Sequence, residues 1–387
     1  MSDPPQASVV VAGPGAAFPR PVLAQMDFEL TERCDNDCRH CCVNLPLDDA
    51  AALAAEVTTL RAEEILAEAA ELGLLRVRFT GGEPLVRDDF EELYEYTRRL
   101  GITVTLATNA RRVTPRLAAL FSEIPPRSPA EVTVYGMSAS TYDAMTRRRG
   151  SFAEFRRGVG LLVEAGVPLK LSGAFRPPYV AEMKELIAWA AELPTVVDTP
   201  SQVMFYDLRR RRDSDRRARG IEGVRADPAE VLSAAAEAVG HEAVSAGFCR
   251  AFCGPSGDGL FACDIGKRPA VDPYGVLHAC SVLRDPRLAY DLSTGSLRHA
   301  VTEVFPALKE LRATDPAYLE RCARCFLAGY CEQCPARAFA EHGVLDRPVE
   351  YQCAVAQAQA RRLGLLGDGE HPWEVTDWKE RIACLKE

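Results

Sequence analysis

The sequence predicts an α/β protein, with a barrel-like half built from a parallel sheet and its crossover helices and a cysteine-rich half after it. Three observations predict this. From Met26 to Tyr206, short apolar strand-like runs alternate with periodic, Ala/Glu/Leu-rich segments, and such alternation implies parallel strands with right-handed crossovers. Cys34, Cys38 and Cys41 stand as C-x3-C-x2-C directly after the first strand-like run. Seven further cysteines, Cys263, Cys280, Cys322, Cys325, Cys331, Cys334 and Cys353, gather in the last third of the chain.

The elements follow in order. Residues 26–31 read as a strand that feeds the cysteine run. Residues 61–71 are periodic and rich in helix formers, hence a helix. Residues 75–80 form a strand that ends at Gly81-Gly82. Residues 88–100 form a helix whose acidic first turn suits the helix dipole. Strands at 102–107, 131–135, 169–174 and 202–206 complete a set of six, and helices at 114–121, 152–165 and 180–191 lie between them. Chemistry in such barrels gathers at the carboxyl ends of the strands. The cysteine run follows the first strand and Gly81 to Pro84 follow the second, so pattern and motif agree on one rim. Residues 271–277 carry Asp272-Pro273-Tyr274-Gly275 and read as a hairpin.

Composition bounds the rest. With 387 residues, 47% apolar and 26% charged, the chain suits a globular protein of two domains. A net charge of −9 argues against a nucleic-acid partner. No run approaches the roughly 20 apolar residues of a membrane span. The first residues lack the basic start of a secretion signal. Fourteen cysteines in such a chain read as metal ligands and ordinary thiols in a cytoplasmic protein, not as a disulfide framework. The expected division is a mobile tail at 1–20, the barrel at 21–207, an arginine-rich linker and helix at 208–247, the cysteine-rich domain at 248–360 and a C-terminal segment at 361–387.

Three thiolates are one short of the four that fully ligate a 4Fe–4S cluster. One iron is then left open to bind a small molecule. With Thr80-Gly81-Gly82-Glu83-Pro84 following some forty residues later, the barrel half resembles the radical S-adenosylmethionine (SAM) superfamily. The resemblance implies a partial (β/α)6 barrel, open on one side. It also implies that SAM chelates the open iron and is cleaved reductively to a 5′-deoxyadenosyl radical. By the same resemblance His40 lies against the adenine, and Gly81, Gly82, Glu83 and Pro84 bind the methionine amino group. Asn109 lines the SAM pocket. Thr133 stands where a serine more usually binds the SAM carboxylate, with Lys170 or Arg176 as a basic companion.

The later cysteines resemble the SPASM extension of that superfamily. Its order of Cys, Gly-x4-Cys, a group of four and a final Cys is matched by Cys263, Gly275 with Cys280, Cys322 to Cys334, and Cys353. Cys331 and Cys334 are two residues apart where three are usual. The resemblance implies two auxiliary 4Fe–4S clusters, so three in all. One would take Cys253 or Cys249 with Cys263, Cys280 and Cys334; the other would take Cys322, Cys325, Cys331 and Cys353. The spare thiol of Cys249 and Cys253 is a candidate hydrogen-atom donor. Zinc is the competing reading of two C-x2-C pairs, but their spacer is shorter than a zinc ribbon's, and zinc leaves Cys263, Cys280 and Cys353 without a role. Cys42 and Cys384 read as ordinary packed thiols.

These features point to a radical SAM/SPASM enzyme that modifies a side chain of a ribosomally made peptide or a protein. The product would be a thioether or carbon–carbon crosslink, an oxidation or an epimerisation. The alternative is a dehydrogenase or rearrangement enzyme acting on a small molecule such as a sugar or cofactor precursor. A bare electron carrier is disfavoured by the SAM motifs. The electron would come from an external flavodoxin- or ferredoxin-type donor. Ser281, where sulfatase-maturing relatives carry an aspartate, weighs against formylglycine formation. With the barrel starting near Met26, no leader-recognition domain is expected on this chain, so a separate recognition protein is expected. The other route is the arginine segment at 208–219, which holds seven arginines. That segment reads either as a solvated linker or as a dock for an acidic peptide or carboxylates.

Overall fold

The structure, a computed structural model, describes residues 22–173, 182–198, 214–225, 227–230, 232–233, 254–331 and 334–383. The expected strand at 202–206, Arg176, Cys249, Cys253 and Cys384 lie outside the described residues. Five strands pair in parallel in chain order: β1 (Gln25–Thr31), β2 (Arg76–Gly81), β3 (Thr103–Thr108), β4 (Ala130–Val134) and β5 (Leu169–Gly173). With their covering helices they form the partial α/β barrel. Period-two alternation divides β1. Met26, Phe28 and Leu30 enter the apolar core, while Asp27, Glu29 and Thr31 are buried on the opposite, polar face.

The helices begin where caps allow, as at α1 (Ala50–Ala55), where Asp49 accepts from the Ala52 N–H. Thr58 accepts from the Arg61 N–H, so α2 (Thr59–Glu71) starts two residues before the periodicity shows. Pro84–Val86 form a single 3-10 turn, and α3 (Phe90–Arg99) starts later than its acidic run. Thr114 and Pro115 open α4 (Pro115–Glu123). A helix absent from the sequence reading, α5 (Ala139–Thr146), precedes α6 (Ser151–Glu164). It is held by a Ser138/Thr141 capping box and ends on Arg147 in the left-handed region. Two turns of weakly periodic sequence give little amphipathic signal. The described helix after β5 is α7 (Glu182–Glu192).

The hairpin at 271–277 is present, and it does more than close on itself. Its first strand, β6 (Ala270–Val271), pairs in parallel with the free edge of β1. It then turns into β7 (Val276–His278) and β8 (Tyr290–Asp291). One eight-stranded sheet therefore runs β8-β7-β6-β1-β2-β3-β4-β5. Two arginines of the cysteine-rich half reach the polar face of β1: Arg268 pairs with Asp27 at 2.7 Å, and Arg284 pairs with Glu29. A separate small core packs Cys325, Phe326 and Leu327 against Ala356 and Ala360 of α9 (Glu350–Arg362). Leu365, Leu366 and Ile382 of the C-terminal segment complete it. Among the described residues no helix is long and apolar enough to cross a membrane.

A close backbone contact lies at the end of β2. Gly81 has φ +128°, and a Cβ there would lie 2.1 Å from the Thr31 carbonyl; a Cβ on Gly82 would lie 2.3 Å from the Arg33 carbonyl. The Gly82 N–H donates to the Thr31 carbonyl (2.7 Å) and the Glu83 N–H to the Arg33 carbonyl (3.0 Å). The chain thus needs glycine here to approach its own backbone. We expect Gly82→Ala to displace the segment entering the cysteine loop. Iron content of anaerobically purified protein should fall by up to about a third, with a lowered Tm. Full iron loading in that variant would show the contact to be dispensable.

Candidate metal and cofactor site

The first thiol group sits on a short loop between two-residue strands, Arg33–Cys34 and Leu45–Pro46, which pair in parallel and close it. Cys34 and Cys38 are buried and Cys41 is half-buried. Burial, then the Glu83 carboxylate, pushes the Cys34 thiol far up. Burial and the neighbouring Cys41 do the same for Cys38, opposed by a hydrogen bond from the Tyr135 hydroxyl. Such thiols hold their protons unless a cation lies among them, and a coordinating metal deprotonates a thiol outright. The Asn36 N–H points at the Cys34 sulfur at 3.4 Å. The donor set therefore fits a metal–sulfur centre.

The base of the loop is braced by charge. Arg33 forms a two-pronged pair with Glu56 (2.8 and 3.1 Å). Arg87 pairs with Asp89 at 2.6 Å and donates to the Leu30 and Val57 carbonyls. On the loop itself, Asp35 lies 3.6 Å from Arg111 and 3.3 Å from Arg112. Arg111 also donates to the Asp35 carbonyl and the Asn36 side chain. Both arginines follow β3 on the carboxyl rim of the barrel, the position that could have flagged them from sequence.

Glu83 lies beneath this loop and is fully buried. Its carboxylate accepts from the Thr108 hydroxyl (2.7 Å), the Asn109 N–H (2.7 Å) and the Leu85 N–H (3.2 Å). Burial, then Asp35, raises its pKa to about 7. Among the described residues no cation pairs with it, and an unpaired buried carboxylate is costly. An ammonium group would resolve that cost. Asn109 in turn donates through Nδ2 to Asp35 (2.8 Å). Pro84 opens the 3-10 turn and is buried, whereas Gly81 and Gly82 are spent on the backbone contact with β1.

Tyr135 follows β4 and sits between the loop and the barrel wall. Its ring contacts that of His40, with centroids 5.5 Å apart, and that of Tyr142. Thr133 is in register with Ser172, and Lys170 with Glu131, all half-buried on the polar face. Glu131 pairs with Arg78 at 2.7 Å.

The later thiols fall into two groups. Burial, then the nearby Cys334 and Cys280, pushes the Cys263 thiol up, and burial with Cys280 does the same for Cys334, so the three stand together. Cys322, Cys325, Cys331 and Cys353 line one small cavity with Arg321, Gln352 and Trp373. Burial, helped by Cys353, pushes Cys322 and Cys325 up to about 12. Arg321 donates toward the Cys353 sulfur (3.8 Å), pairs with Glu350 at 2.7 Å and stacks on Trp373 at 4.6 Å. Trp373 comes from the C-terminal segment and carries no sequence signal. Among the described residues no three His, Cys, Asp or Glu side chains converge for a single ion. Thiolates around a cubane bind different irons and stand farther apart.

Residues 28–190 match the Radical SAM superfamily. The chain carries a radical SAM domain. Over 177 residues it is 31% identical to the PqqA peptide cyclase of Gluconobacter oxydans, covering 46% of this chain and 48% of that protein. The chain thus spans about half the length of the peptide cyclases it matches. Over 356 residues it is 25% identical to the AdoMet-dependent heme synthase of Oleidesulfovibrio alaskensis, covering 84% of this chain and 85% of that protein. The fold resembles anSMEcpe with bound AdoMet, with a TM-score of 0.58 at 13% identity over 94% of this chain and 99% of that one. It also resembles Streptococcus suis SuiB bound to precursor peptide SuiA, with a TM-score of 0.56 at 13% identity over 80% and 71%.

Two outcomes follow for the radical SAM site. In the unliganded fold Glu83 keeps a proton up to about pH 7, while an ordinary glutamate loses it near 4.5. The folded state binds the extra proton in that window, so stability falls as pH rises through it. A cationic ligand that pairs with the carboxylate reverses the loss. SAM should therefore raise Tm more at about pH 8 than at about pH 5.5, and Glu83→Gln should flatten the difference; equal shifts in the wild type would refute the pairing. Tyr135→Phe removes a hydrogen bond to Cys38. At ~1 kcal/mol per bond it should make the cluster potential more negative by up to about 40 mV, read by EPR-monitored titration.

Proposed function

We propose that the protein is a radical SAM enzyme that abstracts a hydrogen atom from a side chain of a ribosomally made peptide or a protein. One observation carries the reading: three clustered thiols and a buried, uncompensated carboxylate share the carboxyl rim of the barrel. Cys34, Cys38 and Cys41 would hold a 4Fe–4S cluster with one open iron. Glu83 would take the SAM amino group, His40 and Asn109 would flank the nucleoside, and Thr133 beside Ser172 would face its carboxylate. When bound, cluster and SAM supply a 5′-deoxyadenosyl radical. The chain's own part is to orient SAM, to hold Glu83 ionised against it and to keep the buried rim dry.

The peptide assignment is supported by the match to peptide cyclases across the barrel and by the fold shared with SuiB. The thioether, carbon–carbon, oxidised or epimerised product belongs to this proposal, as do a flavodoxin- or ferredoxin-type electron donor and a separate leader-recognition protein. Two auxiliary 4Fe–4S clusters are proposed at the later thiols, one on Cys263, Cys280 and Cys334 with Cys253 or Cys249, the other on Cys322, Cys325, Cys331 and Cys353. The spare thiol of Cys249 and Cys253 remains the candidate hydrogen donor. A second reading is favoured by a specific finding: the heme synthase match runs the length of both proteins, and that relative's name places its chemistry on a small molecule.

The test is anaerobic. Reduced protein should convert SAM to 5′-deoxyadenosine, and the combined Cys34→Ala, Cys38→Ala and Cys41→Ala variant should lose that activity while keeping about two thirds of the iron. Deoxyadenosine production by the triple variant would sink the assignment. Stimulation of turnover by peptide rather than by small cofactor precursors decides between the two readings.

A further inference from the structure

Beside the thiol loop the structure opens a cleft of about 390 Å³, lined by Cys38 and Cys41 and by five arginines, Arg39, Arg147, Arg216, Arg217 and Arg219. Among the described residues the one acidic side chain in its wall, Asp37, is paired with Arg147 at 2.9 Å. The chain as a whole carries a net charge of −9, so this wall runs against the overall sign and focuses a positive potential on the rim.

Three of the arginines stand on α8 (Asp215–Glu222), which overlaps the arginine run at 208–219. The helix is not free in solvent. Its Ala218 and Ile221 are fully buried, and Arg217 donates to the Asn44 carbonyl and, at 3.0 Å, to the Asn44 side chain. Arg217 thereby anchors α8 to the end of the cysteine loop. Arg216 and Arg219 are three residues apart, so they share a side of the helix. Together with Arg39 they are exposed and make no ion pair among the described residues. Gly220 adds no side chain to the wall, and a Cβ there would meet nothing within 4 Å. The helix is pinned by one arginine while two more are held toward the cleft unneutralised. Like charges at that spacing cost helix stability, and nothing in the packing requires them.

We infer that this cleft binds the carboxylate-rich part of the substrate, with Arg39, Arg216 and Arg219 as the recognising forks. The inference rests on the radical SAM reading of the neighbouring thiols. A planar guanidinium matches a carboxylate with two parallel hydrogen bonds. SAM has a single carboxylate, so three unpaired forks call for a ligand with more. An acidic peptide segment and a small polycarboxylate share that chemistry.

The test uses the full chain, anaerobically reconstituted and saturated with SAM, and reads the anisotropy of fluorescein-labelled hexaglutamate. Hexaglutamate should bind, with affinity that falls as salt rises, and hexaglutamine should not compete. Arg216→Gln with Arg219→Gln should weaken binding at least about tenfold and flatten the salt dependence. Arg216→Lys with Arg219→Lys keeps the charge without the fork and should recover part of the loss. Arg116→Gln, exposed on α4, should change nothing. Competition assigns the source: displacement by butanetetracarboxylate at or below the concentration of unlabelled hexaglutamate points to a small polycarboxylate, and weaker displacement points to a peptide. If the glutamine pair loads less iron, Arg219→Gln alone carries the comparison, with about threefold weaker binding expected. Undiminished hexaglutamate affinity in a variant with full iron and normal SAM binding overturns the inference. Failure of the wild type to cleave SAM would instead overturn the proposed function and leave the binding result intact.

Discussion

The site depends on one backbone contact, the docking of Gly81 and Gly82 onto the carbonyls of Thr31 and Arg33. Two N–H groups after β2 donate to the chain leaving β1, and there is no room between them for a Cβ. This ties the start of the cysteine loop to the segment that carries Glu83. The thiols and the carboxylate are therefore positioned by the same two hydrogen bonds. The ion pairs beneath, Arg33 with Glu56 and Arg87 with Asp89, are buried. Their value lies in satisfying groups that the close approach forces out of water.

Above that contact the rim is organised by unpaid electrostatics. Cys34, Cys38 and Glu83 are all shifted toward their neutral forms by burial. Arg111 and Arg112, which reach the loop from the end of β3, serve Asp35 and Glu154. Among the described residues no cation pairs with Glu83, which is the feature on which the proposed ammonium pairing rests. The α8 cleft has the opposite sign and is more open. On the proposed assignments, the two faces of one rim would offer complementary chemistry, one for a metal centre and an ammonium, the other for carboxylates.

The cysteine-rich half is joined to the barrel by more than a linker. β6 extends the barrel sheet at β1, and Arg268 and Arg284 are the counter-ions of Asp27 and Glu29. If the later thiols hold clusters as proposed, loading or losing them should be felt along β1, the strand that leads into the first thiol loop. The C-terminal segment belongs to this half, because Trp373 covers the cavity of Cys322, Cys325, Cys331 and Cys353.

The sequence by itself determined the order of parallel strands, the thiols of the first loop and the Gly-Gly-Glu-Pro turn, because period-two and period-3.6 patterns and short ligand spacings are local properties. It also showed a hairpin at 271–277 and a run of arginines. Short elements such as α5 escaped it, since two turns carry little periodic signal. Tertiary structure alone decided that the hairpin completes the barrel edge, that Tyr135 and Arg111 reach the thiol loop, and that Trp373 seals a second thiol cavity. It also decided that the glycine pair serves the chain's own backbone, and that part of the arginine run walls a cleft beside Cys38 and Cys41. Each of these joins residues tens to hundreds of positions apart, and only the closing of the sheet and the packing of its helices bring such partners within reach.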